Sequence, residues 1–218
     1  MGADGSSYSR ATLAFGSTAP LGGARLVLLP DSRFAPMAPV LMERVESFGA
    51  KLTAENFTGF LDALMGRMMV DAFRDSYAGC GGVWMVDAAR ERLIPAHILG
   101  ATGMGLWDWR PAVTEGLAGM VWATQQPFCG NEIQRNARHD RSLDAALQAT
   151  VHSLILVPFY IARQIRGLVV AVQAQRPGGP APHSFSPESL EEMDLLATCL
   201  GRLIDYRLIC AATGYEED

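Results

Sequence analysis

Two apolar runs, Ser153-Leu154-Ile155-Leu156-Val157-Pro158-Phe159 and Gly167-Leu168-Val169-Val170-Ala171-Val172, constrain this chain more than any other feature. Neither shows the polar–apolar alternation of a half-buried strand, so both must be covered on both faces. Joined through Arg163 to Arg166, they predict a hairpin. A sheet centred on it needs helices on at least one side, which points to an α+β domain.

The flanking segments supply those helices. From Arg33, the residues Phe34, Met37, Val40, Leu41, Val45 and Phe48 recur at helical spacing as far as Gly49. Thr53 is a plausible N-cap for a second helix whose apolar face is Phe57, Phe60, Leu61, Leu64, Met68 and Phe73. Asn56 stands where a complete capping box would have Glu. Val83 to Val86 and Leu93 to Leu99 then read as paired strands. Gly79, Gly81 and Gly82 beside the first of them suggest a bulge or a close backbone approach. Gly100 to Trp109 reads as a loop, Leu117 to Thr124 as a short helix and Pro127 to Ile133 as a strand. A helix capped by Asp140 or Ser142 is expected to run to about Val151. Arg25 to Leu29 is a further candidate strand.

Ser186 with Pro187 opens the last helix, because a proline at the first helical position loses no hydrogen bond. Leu190, Met193, Ala197, Leu200, Leu203, Ile204 and Leu208 form one apolar stripe there, and Leu195, Cys199, Tyr206 and Cys210 line an adjacent one. Asp194, Thr198, Gly201 and Asp205 are left for water. One sheet covers only the first stripe, so the second is expected to meet another helix, with a homodimer as the economical source.

Composition narrows the function classes. The 218 residues are 49% hydrophobic and 19% charged, as in ordinary globular chains. A net charge of -5, with seventeen Arg and the single Lys51, offers no basic face for nucleic acid. No apolar run approaches the roughly 20 residues that span a bilayer, so no membrane partner is expected. Cys80, Cys129, Cys199 and Cys210 form no C-x-x-C pair, which fits a reducing cytoplasm. The expected organisation is a flexible tail over 1–24, an extension with an extra helix over 25–52, one domain over 53–210 and an acidic tail over 211–218.

The order of these pieces resembles the GAF family of sensory domains over about Thr53 to Leu208. The resemblance rests on Gly82-Val83-Trp84-Met85-Val86, Glu115-Gly116-Leu117-Ala118-Gly119, Gln126-Pro127, the two central strands, and Phe185-Ser186-Pro187-Glu188. It implies a six-stranded antiparallel sheet with long N- and C-terminal helices on one face, and short helices and loops enclosing a pocket on the other. It also implies a regulatory role: family members bind cyclic nucleotides, haem, bilins, anions or metabolites, or simply dimerise, and a few reduce free methionine sulfoxide. Gln173-Ala174 stand where cyclic-nucleotide binders have Asn-Lys. Val151 before His152 leaves no thioether for a covalent bilin, and Met120-Val121-Trp122-Ala123 carry no reductase cysteine. The cofactor is left unknown.

Near the implied pocket, Trp107, Trp109, Phe128, Arg138, His139, Asp140, Arg141 and His152 are the candidate ligand residues. Arginine forks suit carboxylate-like anions, and an indole can close an apolar wall over them. A solvated loop of self-paired charges is the competing reading. His139 and His152 lack the spacing of metal or haem ligands, and Cys129 reads as a small buried hydrophobe before a redox thiol. No nucleophile–base pair can be assembled, so the expectation is a non-enzymatic sensor. With no kinase, cyclase or DNA-binding segment in the sequence, its output is expected to pass to a separate protein. A scaffold subunit with a vestigial pocket is the alternative, and a methionine sulfoxide reductase-like enzyme the remote one.

Overall fold

The computed structural model describes residues 35–101, 103–179 and 182–214. The candidate strand at Arg25 to Leu29, the tail over 1–24 and the last four residues lie outside them. The elements are helices α1 (Ala38–Ala50), α2 (Ala54–Phe60) and α3 (Ala63–Asp75), strands β1 (Cys80–Val86) and β2 (Leu93–Leu99), α4 (Gly116–Thr124), β3 (Phe128–Asn131), α5 (Arg141–Leu147), β4 (Thr150–Ile161), β5 (Gln164–Gln175) and α6 (Pro187–Thr213). Short 3-10 turns occupy Gly103–Asp108, inside the expected loop, and Ile133–Arg135, where β3 was expected to continue.

The sheet is antiparallel throughout, in the order β2-β1-β5-β4-β3. Among the described residues it has five strands and not the six expected. What would be the sixth is a single bridge between Arg92 and Ala112, flanked by Leu93 N donating to Pro111 O and Val113 N to Glu91 O, both at 2.9 Å. Pro111 has no N–H and a fixed φ, so the ladder stops there.

The uninterrupted apolar runs of β4 and β5 resolve into two cores. Val83, Met85, Ile155, Val157, Val169 and Ala171 face α1, α3 and α6. Trp84, Leu154, Leu156, Leu168, Val170 and Val172 face the 3-10 turn, α4 and α5. Residues i and i+2 share a face, so a strand covered on both sides needs no polar positions.

Five local expectations are corrected by the structure. The helix read from Thr53 to Phe73 is broken at Leu61 and Asp62: Asp62 caps α3 by accepting from Met65 N at 2.8 Å, and Arg207 Nη1 donates to the freed Phe60 carbonyl at 2.7 Å. Asn56 does the work of the missing Glu, accepting from Thr53 N at 2.8 Å. The helix after Asp140 ends at Leu147, where Gln148 turns left-handed, so Thr150 and Val151 belong to β4. On α6, Gly201 is buried and Asp205 accepts from Ala162 N at 2.7 Å, so neither is given over to water. That bond also explains the hairpin tip. The turn is Ala162-Arg163, both left-handed at φ 50 and 64, and not the longer Arg163 to Arg166 connection. A two-residue turn of this hand normally takes Asn-Gly, and here a carboxylate from another element holds it.

Candidate ligand site

The pocket-side core leaves little interior space. Trp84 is fully buried and its Nε1 donates to Trp109 O at 3.0 Å, while the two indoles meet edge to face with centroids 5.3 Å apart. Together with Leu106, Leu117, Leu143 and Leu154 they fill the hollow expected there, leaving about 10 Å³ beside Trp109, His139 and Leu154. Ligand-sized space lies just outside, in an open depression of about 560 Å³.

Three segments build that depression. Arg92 comes from the start of β2, Arg110 from the end of the 3-10 turn, and Arg138, His139 and Asp140 from the loop before α5. Arg92 Nη1 donates to Arg110 O at 3.0 Å, which ties two of the segments together. Among the described residues, none of the three guanidinium groups makes a salt bridge. The carboxylates nearby are engaged by the fold: Asp140 Oδ2 accepts from Trp109 Nε1 at 3.1 Å and from Ser142 Oγ at 2.7 Å, and its Oδ1 from Ser142 N at 2.9 Å. His139 Nε2 pairs with Asp144 Oδ2, and Asp144 Oδ1 accepts from Val151 N at 2.6 Å. Glu115 is the exposed carboxylate on the rim.

The structure brings Trp109, Arg138, His139 and Asp140 together. It does not bring in the other four candidates. Trp107 is 42% exposed on the outer side of its turn, Phe128 sits half-buried on β3 with its ring against Gly130, and Arg141 begins α5 away from the depression. His152 stands at the β4 bulge and bonds Ser153 Oγ at 2.8 Å. Trp109 itself is buried, so it props the loop from behind through Asp140. Arg92 and Arg110 are not apparent from the sequence, since their segments meet only through tertiary contacts around the Arg92–Ala112 bridge, and Ser142 reads there only as a helix cap. Burial pushes the Cys129 thiol up, opposite to what a reactive thiolate requires. Among the described residues, no three His, Cys, Asp or Glu side chains cluster as a metal set. No helix there is long and apolar enough to cross a membrane.

Asp140 makes the loop pH-sensitive. Burial acts to raise its carboxyl, but the hydrogen bonds from Ser142 and Trp109, with a smaller share from His139, overcome this and hold it below the ordinary carboxylate range. A carboxyl depressed on folding contributes stability above its unfolded pKa of about 3.9, and that contribution is lost as pH falls through the folded value. Asp140→Asn is therefore less stable than the native chain at neutral pH. Urea melts should show the gap closing as pH is lowered below about 4; a gap independent of pH would mean that the charge of Asp140 is irrelevant.

The family model described as a GAF domain matches residues 55–205, and the chain belongs to the GAF family. Comparison with curated proteins gives no match. Among solved structures, the GAF domain of a phosphoenolpyruvate-protein phosphotransferase from Coxiella burnetii is similar, with a TM-score of 0.53 and 18% identity over 83% of this chain and 97% of that one. A free methionine-R-sulfoxide reductase from Neisseria meningitidis, bound to its substrate, gives a TM-score of 0.50 and 16% identity over 85% and 96%. At these identities the likeness is one of fold. GAF domains are commonly sensory or regulatory and generally non-catalytic.

Proposed function

We propose that this chain is a non-enzymatic sensor whose open depression takes a small anionic ligand and whose end helices pass the state of that site to a second subunit or a partner protein. The observation that carries the reading is the convergence of Arg92, Arg110 and Arg138, without salt bridges among the described residues, over a loop already braced by Trp109–Asp140 and His139–Asp144. A carboxylate or phosphate in the depression would receive charge-assisted bonds from donors whose backbone is held in place.

The outward face of α6 supports the second half. Leu195 is 57% exposed, Tyr206 50% and Ile209 41%, along a line that α1 and α3 leave uncovered, with Cys199 and Cys210 half-buried beside it. A homodimer seated there would bury it, and any ligand-driven change can be no larger than the ligand's preference for one helix arrangement over another. The filled interior favours one alternative, a scaffold with a vestigial pocket. The reductase-like reading draws on the family resemblance and on the solved structure's name, and the raised Cys129 thiol weighs against it.

Thermal-shift screening of the native chain against small carboxylates and phosphates tests the sensor. A ligand at about a hundred times its Kd adds roughly 2.7 kcal/mol to stability, a rise of several degrees in Tm. Arg138→Ala should abolish the rise that a carboxylate gives, and no rise from any anion would favour the scaffold. Light scattering tests the helix face. Leu195→Glu with Tyr206→Glu should convert dimer to monomer, and a native chain that is strictly monomeric at high concentration rules the dimer out.

A further inference from the structure

A second arginine pair lies at the turn between β1 and β2. The turn after β1 is closed by Asp87, whose Oδ1 accepts from Glu91 N at 2.8 Å and Arg92 N at 3.2 Å, and this leaves Arg90 left-handed at φ 60. The Arg90 guanidinium lies over the Trp122 ring, 5.8 Å from its centroid. From the start of β5, Arg166 reaches across to the link between α1 and α2, where its Nη2 donates to Leu52 O at 3.0 Å. Both arginines line one cavity of about 380 Å³, between that link and the turn.

Among the described residues, neither arginine has a salt bridge, and Arg166 Nε is the sole buried side-chain nitrogen or oxygen without a hydrogen bond. A buried donor left unmade costs stability, and cations placed together without a counter-charge repel. Burial, then the proximity of Arg90, pulls the Arg166 guanidinium below its ordinary pKa. Of the two carboxylates lining the cavity, Asp87 holds the turn amides through its Oδ1 and Glu55 is exposed, and neither forms a salt bridge with Arg90 or Arg166.

We propose that this cavity is a second anion site, in which Arg90 and Arg166 together hold a tetrahedral oxyanion of the phosphate type, free or carried on a small ester. An oxyanion there offers both guanidinium groups a negatively charged acceptor and offsets two like charges at once. The volume exceeds that of bare phosphate, so an organic substituent has room on the side of the α1–α2 link. The site shares no residue with the Arg92–Arg110–Arg138 depression and stands or falls apart from it.

Isothermal titration of the full chain, at fixed ionic strength, with inorganic phosphate in one arm and methyl phosphate in the other, tests the assignment. Saturable binding is expected in at least one arm, and tighter binding of methyl phosphate identifies an ester as the preferred source. Arg90→Met, on an exposed turn, should weaken it about tenfold or more, and Arg166→Met should do the same if that variant melts like the native chain. Arg74→Met, at an exposed arginine of α3 that lines neither cavity, should leave it within twofold. No saturable binding in either arm overturns the proposal. So does binding that Arg90→Met leaves within twofold, and if Arg138→Ala alone weakens it, the anion belongs to the other depression.

Discussion

Gly82→Ala will destabilise this protein by about 3 kcal/mol or more. A Cβ at position 82 would lie 1.9 Å from the His97 carbonyl oxygen and 3.0 Å from Ile98 Cα, and both belong to the neighbouring strand β2. Backbone atoms in a ladder cannot step aside as a flexible side chain can, and the φ of +155 at Gly82 is itself one that other residues rarely adopt. The pairing of β1 with β2 therefore has to open or slip. Gly66→Ala is the matched control: it lies inside α3 with nothing within 4 Å of the new Cβ, so it should gain up to about 1 kcal/mol in helix propensity. Urea midpoints for the two variants should move in opposite directions, and a Gly82→Ala midpoint within error of the native one would mean that the strands do not approach this closely.

Trp84→Ala should cost about 3–5 kcal/mol, as expected for deleting a large side chain from a packed core. Trp84 is wholly buried, shares the pocket-side core with Trp109, and supports it both by its indole hydrogen bond and by edge-to-face packing. Trp109 in turn holds Asp140. Loss of Trp84 therefore reaches the arginine depression through two contacts, and ligand affinity should fall with stability. Trp84→Phe keeps the apolar bulk but leaves the Trp109 carbonyl without its donor, so its cost should be smaller. Equal losses for Phe and Ala would place the whole effect in that hydrogen bond.

What could be read from the chain alone follows where information is local. The two central strands, the Ser186-Pro187 start of α6, the buried stripe Met193–Ala197–Leu200–Ile204–Leu208 and the close approach at Gly81 and Gly82 are carried by residue type and spacing over a few positions, and the structure has them all. The break at Leu61–Asp62 was hidden because the apolar period continues through it, while its stabilising partner, Arg207, is far away in sequence. The same holds for the Ala162-Arg163 turn, whose partner is Asp205. For the site, the loop bearing Arg138, His139 and Asp140 stood out by its density of polar groups. Arg92 and Arg110 did not, since nothing near them in sequence announces a single bridge between Arg92 and Ala112. Trp107 and His152 show the converse: their chemical character drew attention, but the structure places both outside the arginine depression.

The grip of Asp205 on the hairpin tip has a mechanical meaning. With Ala162 tethered to α6 and Gly201 so near the Tyr160 carbonyl that a Cβ there would stand 2.6 Å from it, the helix has no slack to roll over the sheet. A roll of α6 would have to break the Asp205–Ala162 bond and drive the helix backbone into the Tyr160 carbonyl, so α6 and the β4–β5 tip are expected to move together.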